Sequence, residues 1–286
     1  MTTLVFGHKS PDTDSTGSPI IWAWYLNEIK GVDAAPALLG EPNKPQIIDD
    51  VQADQPVVIV DTNNPAELPA SINDADITAI IDHHRLVGGL ETKGPVNIVM
   101  ETLACTATIM YKMIGDDMAQ MPENIKGAML TCILSDTLEF RSPTTTQEDT
   151  AIAHALAKDL GVDIAEYAAQ LFAAKSDVSS FSEAELLRMD SKEYEVGGKK
   201  FRVSVLETTS PATVLNRKDA LMAAMPGVAT EDGADQVLLF VVDILNEEAT
   251  MLIPNDFTKS VAEKSFGATV TGDSVVLPGV MSRKKQ

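Results

Sequence analysis

At 286 residues the chain exceeds the length at which a single hydrophobic core usually serves, so two domains are expected. Its 44% hydrophobic and 22% charged residues exclude a disordered chain, and a formal net charge of -20 argues against nucleic acid or an anionic membrane as partner. No basic leader precedes the first apolar run, and no apolar stretch reaches the roughly 18 residues of a membrane span. Cys105 and Cys132 lie in apolar helical patterns without a CxxC motif, and buried free thiols in a reducing cytoplasm are expected.

In chain order, β-branched runs at Thr3 to Phe6, Val57 to Val60 and Ile77 to Ile81 predict strands buried on both faces, the pattern of a parallel sheet. Between the first two, Ser18-Pro19 predicts a helix start and Gly31 its end. Helix-period runs at 105 to 114, 122 to 134, 147 to 160 and 163 to 174 predict four helices over the sheet. The polar segment Lys175 to Phe181 breaks that periodicity and reads as a linker. Beyond it come strands near Phe201 to Leu206, Val237 to Leu245 and Thr250 to Ile253, with helices near Ala212 to Met225 and Phe257 to Ser265. The expected fold is α/β: a doubly wound, mainly parallel N-terminal sheet over 1–175, a hinge at 176–181, and a smaller mixed domain over 182–286.

The residues that carry chemistry cluster at the ends of the predicted strands. The first strand leads into Gly7-His8-Lys9-Ser10-Pro11-Asp12-Thr13-Asp14-Ser15, the second ends in Val60-Asp61, and the third in Ile81-Asp82-His83-His84. In a doubly wound sheet, ligands bind beyond the carboxyl ends of the strands, so these acids and imidazoles converge on one edge. Asp136 closes the apolar helical run from Ala128. Imidazole and carboxylate together suit a divalent transition metal such as Mn²⁺. Three of the chain's four histidines fall in these motifs. Taken alone, the first loop would serve equally as a capped polar turn, and Asp61 as a turn cap. Asp82 reads as a group that orients a histidine by hydrogen bond. His154, on an alanine-rich helix, reads as structural or solvated.

The GHxxPDxDS loop, Asp61, the Asp82-His83-His84 triplet, Ser135-Asp136-Thr137 with Phe140 to Thr144, and the terminal Ser282-Arg283-Lys284-Lys285-Gln286 together resemble the family II inorganic pyrophosphatases of the DHH phosphoesterase superfamily. The resemblance runs over nearly the whole chain. The triplet alone indicates the superfamily; the terminal run together with the first loop is specific to the family.

The resemblance implies two Mn²⁺ ions per subunit, with Co²⁺ or Mg²⁺ as alternatives. His8, Asp12 and Asp61 would hold one metal, and Asp14, Asp61, His83 and Asp136 the other, with Asp61 bridging. His84, Lys192, Arg283 and Lys284 would bind phosphate. Pyrophosphate would arrive as its magnesium complex, bringing additional Mg²⁺, and would be cleaved by in-line attack of a hydroxide bridging the two metals, in a cleft between the domains. The resemblance further implies a homodimer formed through the N-terminal domain. One departure is Thr62, where many members carry His after the bridging aspartate, which bears on metal preference. From sequence alone the terminal basic run would also read as a frayed tail. A DHH phosphodiesterase or an exopolyphosphatase is the alternative. Such nucleases usually carry a GGGH motif, and here Gly197-Gly198 is followed by Lys199.

Overall fold

The computed structural model describes residues 1–39 and 47–281. The chain divides into two compact units, Met1–Ala168 and Ala169–Gln286. The first unit begins with β1 (Thr3–Phe6), α1 (Thr13–Glu28), β2 (Ala34–Pro36) and the two-residue strands β3 (Leu38–Leu39) and β4 (Ile47–Ile48). It continues through β5 (Pro56–Val60), β6 (Asp76–Asp82), β7 (Asn97–Met100), α2 (Thr106–Ile114), α3 (Glu123–Thr137), α4 (Gln147–Leu160) and α5 (Ile164–Lys175), whose C-terminal part falls in the second unit.

Five strands form one sheet in the order β2-β1-β5-β6-β7, and every pairing is parallel. From β1 the chain first builds to one side, as β2, and then to the other, as β5, β6 and β7. The strand order therefore reverses between β1 and β5, and the carboxyl ends of these two strands flank a crevice. The three predicted strands fall in β1, β5 and β6. Their alternate side chains are buried: Phe6, Val57, Ile59 and Ile80 pack in one cluster, while Val5, Val58, Val60 and Ile81 are buried as well.

Ser18-Pro19 does not open α1. The helix begins at Thr13, with Asp12 as N-cap accepting from Ser15 N at 2.9 Å, and Pro19 lies inside it. The Ser18 hydroxyl donates instead to Asp14 Oδ1 at 2.6 Å, so it serves a buried carboxylate rather than a helix end. The four predicted helices after Cys105 are α2 to α5. Cys105 and Cys132 are both free and buried.

The second unit contains α6 (Glu183–Met189), β8 (Ser191–Val196), β9 (Lys199–Thr208), α7 (Pro211–Leu215), α8 (Lys218–Glu231), β10 (Gln236–Asp243), β11 (Glu248–Leu252), α9 (Asp256–Phe266) and β12 (Ser274–Pro278). Its sheet has the order β12-β11-β10-β9-β8, parallel between β9 and β10 and antiparallel elsewhere. Leu206, Leu239 and Val241 pack on one face with Leu186, Leu187, Leu221 and Met225 from α6 and α8.

The helix expected over Ala212 to Met225 is broken at Asn216-Arg217. There the Arg217 guanidinium donates to the carbonyls of Val178 and Phe181 at 3.0 and 2.8 Å and to Glu183 at 2.7 Å. Gly197-Gly198, both at positive φ, make the two-residue turn of the β8–β9 hairpin, as such turns require.

Candidate metal centre

The ends of β1, β5 and β6, the start of α1 and the last turn of α3 bring seven of the expected residues into overlapping groups. Ligand atoms of His8, Asp12 and Asp61 lie within 4.8 Å of one another, as do those of Asp14, His83 and Asp136, and those of Asp61, His83 and His84. The centre is thus assembled from four stretches of the N-terminal unit.

The first stretch turns sharply after β1. A Cβ on Gly7 would fall 2.1 Å from Ser15 Oγ and 2.8 Å from the Ser15 carbonyl oxygen, so only glycine lets the strand end approach the start of α1. That approach lets His8 N donate to Ser15 Oγ at 2.8 Å and brings His8 Nε2 to 3.4 Å from Asp61 Oδ2. Asp14 is fully buried. Its Oδ1 accepts from Ser18 Oγ, and its Oδ2 accepts from Thr106 N at 2.6 Å. Burial, reinforced by the nearby Asp61 charge and only partly offset by His83, pushes the Asp14 carboxyl up to about 7.

Asp61 sits at φ +58, a left-handed backbone that costs a non-glycine residue on the order of 1–3 kcal/mol. Its N–H donates to Ile81 O at 2.9 Å, which ties it to the end of β6. The two carboxylate oxygens face opposite partners: Oδ2 faces His8, while Oδ1 lies 3.2 Å from His83 Nε2 and 3.2 Å from Thr106 Oγ1. Burial alone would raise this carboxyl, but hydrogen bonding to His8 and His83 and the His84 charge outweigh it and hold Asp61 well below the ordinary carboxylate range.

His83 Nδ1 lies 3.0 Å from Leu103 O. A carbonyl can only accept, so Nδ1 carries a proton, and Nε2 is the ring atom that faces Asp61 and, at 3.8 Å, Asp136 and would meet a metal. His84 Nδ1 lies 2.9 Å from Asp82 Oδ1. Asp82 also accepts from His83 N, His84 N and Asn63 Nδ2, at 2.7, 3.0 and 2.6 Å, and belongs to none of the three groups among the described residues. Its carboxylate orients the triplet, as its sequence position suggests.

Asp136 is followed by three successive left-handed residues, Leu138, Glu139 and Phe140, and Ser142 N returns to Thr137 O at 2.8 Å. Consecutive left-handed residues cost about 1–2 kcal/mol each. Within the Phe140 to Thr144 segment, Ser142 and Thr144 are joined hydroxyl to hydroxyl at 2.8 Å. His154 is exposed on α4, its ring stacks on Phe140 at 5.6 Å, and it belongs to none of the three groups. Thr62 Oγ1 donates to Glu67 Oε2 at 2.8 Å, while the Glu67 carbonyl accepts from Lys9 N at 2.9 Å, so the loops after β1 and β5 are tied together through Glu67.

Three contributors escape sequence reasoning. Thr106, at the first position of α2, donates to both Asp14 and Asp61, 92 and 45 residues away. Asn63 holds Asp82. Asp149, fully buried, accepts from Ala104 N and from Thr108 Oγ1 at 2.7 Å and thereby steadies the segment that carries Thr106. Lys192 is the second residue of β8, in the other unit, and Arg283 and Lys284 lie outside the described residues.

This donor set fits divalent first-row metals with oxygen and nitrogen preference. Carboxylates crowded enough to push one of them up to about 7 call for a cation between them. Burial, with the charges of Asp14 and Asp136, holds both cysteine thiols well above their ordinary range, so neither offers a thiolate at neutral pH.

Residues 2–136 match the DHH family, N-terminal domain, and residues 169–286 match the DHHA2 domain. The chain is 38% identical to a Deinococcus radiodurans protein over 99% of this chain and 95% of that one, and 35% identical to a Lactobacillus acidophilus protein at the same coverage. Both are assigned as manganese-dependent inorganic pyrophosphatases. A crystal structure from Methanococcus jannaschii, assigned to the family II inorganic pyrophosphatases, superposes with a TM-score of 0.84 at 30% identity, covering 100% of this chain and 96% of that one. An exopolyphosphatase-related protein from Bacteroides fragilis shares the fold at a TM-score of 0.52 and 12% identity, covering 99% of this chain and 88% of that one.

Proposed function

The chain belongs to the family II, manganese-dependent inorganic pyrophosphatases, and from that premise we propose that it hydrolyses pyrophosphate to two phosphates at a two-metal centre built on Asp61. The observation that carries the reading is the placement of the Asp61 carboxylate, one oxygen toward His8 and the other toward His83. A carboxylate so placed can serve two cations at once. His8 and Asp12 complete one site, and Asp14, His83 and Asp136 the other. Two Mn²⁺ ions held there would lower the pKa of a shared water toward about 7 and supply a hydroxide for in-line attack on phosphorus.

The remaining work falls to the chain's own residues. His84, oriented by Asp82, stands at the rim of the centre with its side chain 23% exposed, where it can donate to a phosphate oxygen. Lys192, Arg283 and Lys284 supply fixed positive charge for the leaving phosphate, which a chain of net charge -20 must gather locally. Arginine grips two oxygens at once and lysine contributes a point charge. The substrate arrives as its magnesium complex, and Co²⁺ or Mg²⁺ can replace Mn²⁺ with altered activity.

Residues 1–175 form the metal-binding domain and 182–286 the substrate-binding domain, which close over the substrate through residues 176–181. Because Arg217 fastens the carbonyls of Val178 and Phe181 to the C-terminal unit, and Ser176 Oγ accepts from Thr209 N at 3.0 Å, rotation is expected at the upstream border of this segment, before Ser176. The protein acts in the cytoplasm as a homodimer formed through the N-terminal domain. The edge strand β7, which pairs only with β6 among the described residues and exposes Ile98, supports that surface.

A phosphate-release assay with pyrophosphate, tripolyphosphate and a dinucleotide tests the proposal, run after chelation and after return of Mn²⁺ or Mg²⁺. Turnover of pyrophosphate alone, lost on chelation and restored more fully by Mn²⁺, is expected. Preferential cleavage of the dinucleotide or of tripolyphosphate would refute it.

A further inference from the structure

Lys192 stands on an edge strand, which has a neighbour on one side only among the described residues, and a cation meant to meet phosphate from such a strand needs its backbone held by other means. Strand β8 pairs with β9 so that Ser191, Lys192 and Glu193 lie opposite Ser204, Val203 and Arg202. Side chains alternate along a strand, so Lys192 shares one face with Val203, while Ser191 and Glu193 share the other with Arg202.

On that second face Arg202 grips both neighbours of Lys192. Its Nη1 donates to Ser191 Oγ at 2.6 Å and its Nη2 to Glu193 Oε1 at 2.8 Å. Its Nε lies 2.6 Å from Asp232 Oδ2, at the C-terminal end of α8. The same Asp232 carboxylate receives Arg188 of α6, Nε to both oxygens at 3.1 Å and Nη2 at 3.0 Å, and Arg188 also donates to Glu231 at 2.7 Å. Ser191 Oγ in turn donates to Arg188 O at 3.1 Å. The Arg202 side chain is 12% exposed and Asp232 15%, so that pair is not a loose surface pair of negligible strength, whereas Glu193, 51% exposed, is the weaker of the two grips on β8. A forked guanidinium on two strand positions, braced from two helices, fixes the backbone between them in height and direction.

We propose that Arg202 is a positioning residue for Lys192, setting from the opposite face of β8 the place at which the lysine ammonium meets phosphate. The inference rests on the reading of Lys192 as a phosphate contact. It extends the site to residues of α6, β9 and α8 that themselves touch neither metal nor substrate.

A double-mutant cycle on the full-length, Mn²⁺-loaded enzyme tests it, with Lys192→Ala, Arg202→Gln and the double variant. The readouts are KM and kcat for pyrophosphate, calorimetric affinity for imidodiphosphate, Mn²⁺ affinity and Tm. Lys192→Ala should weaken imidodiphosphate binding and kcat/KM by about tenfold or more, the worth of a charge-assisted contact. Arg202→Gln should cost about three- to fivefold in the same two quantities, mainly through KM, with Mn²⁺ affinity unchanged. Arg202→Lys should recover part of that loss. In the Lys192→Ala background, Arg202→Gln should cost nothing further.

The same factor lost in both backgrounds would overturn the inference, because Arg202 would then act on the domain at large. Wild-type behaviour of Arg202→Gln beside an impaired Lys192→Ala would overturn it while leaving the phosphate role of Lys192 intact. An unimpaired Lys192→Ala would instead remove Lys192 from the proposed site, and the inference with it. Should Arg202→Gln fail to fold, Arg202→Lys carries the same cycle.

Discussion

Asp14 makes the stability of the metal-free protein depend on pH in the direction opposite to that of most carboxylates. An ordinary aspartate titrates near 3.8, and burial, followed by the Asp61 charge, pushes this one up to about 7. Between those values the folded chain holds a proton that the unfolded chain has released. Stability therefore falls as pH rises from about 4 to about 7, and levels off above, where both forms are ionised. At about 1.4 kcal/mol per pH unit, the difference from 3.8 to about 7 corresponds to about 4 kcal/mol. In a domain of this size that is a change of roughly 10 °C in Tm. Asp61, held well below its ordinary range when folded, contributes the opposite slope only at the acid end of this window, where the unfolded chain still binds its proton.

Asp14→Asn keeps the shape and can still accept from Thr106 N while donating to Ser18 Oγ, but it cannot ionise. Tm should be measured from pH 4 to 8 on chelated wild type and on this variant. Wild type should lose stability relative to Asp14→Asn as pH rises, and at pH 6 Mn²⁺ binding should expel about one more proton from wild type than from the variant. A flat difference between the two proteins, or a wild type that gains on the variant with rising pH, would refute the assignment of a neutral Asp14.

Asp61→Ala should abolish tight binding at both metal positions, which calorimetry with Mn²⁺ would reveal; a variant that still held two ions would end its bridging role. Asp61→Gly should lose metal equally yet make the chelated protein more stable than Asp61→Ala by roughly 1 kcal/mol, because glycine adopts φ +58 without strain, and thermal melts can compare them. Gly7→Ala drives a Cβ against Ser15 and should destabilise by about 1–3 kcal/mol while lowering Mn²⁺ affinity; wild-type affinity would show that α1 can shift without cost to the centre. Arg283→Ala or Lys284→Ala should leave Mn²⁺ affinity intact and reduce kcat/KM by about ten- to a hundredfold in the phosphate-release assay, whereas full activity would make the terminal run a tail.

What could be read beforehand follows the physics of each element. Central parallel strands are buried on both faces, so β1, β5 and β6 announce themselves as β-branched runs, and the acids and imidazoles that end them stand out against so apolar a background. Edge strands carry no such mark. β8 reads Ser-Lys-Glu-Tyr-Glu-Val and β12 lies among glycines and serines; both are strands because a neighbour's backbone accepts them. The start of α1 was obscured because Ser18-Pro19 has the local form of a helix beginning. Asp12 prevails because Ser15, whose N–H it caps, packs closely against Gly7, an approach that only the folded chain has. Thr106 was illegible for a related reason: its partners lie 45 and 92 residues away, and a threonine at a helix start looks like any other.

The parallel sheet also bears on when the centre can come into being. As the chain is synthesised, β1 emerges first but takes an interior place in the sheet, and its partner β5 follows about 50 residues later. Asp136 follows much later, at the end of α3. A nascent chain that has not yet supplied α3 lacks one corner of the centre, and long-range parallel pairing is slow to form. On the proposed two-metal reading, metal capture therefore belongs to the end of this unit's folding. The ions cannot nucleate the fold in the manner of a zinc finger, whose ligands lie close together in sequence. They meet a scaffold that already sets ligand spacing, and their binding free energy is drawn upon by all four contributing stretches together, so losing the ions should loosen the whole N-terminal unit rather than one loop.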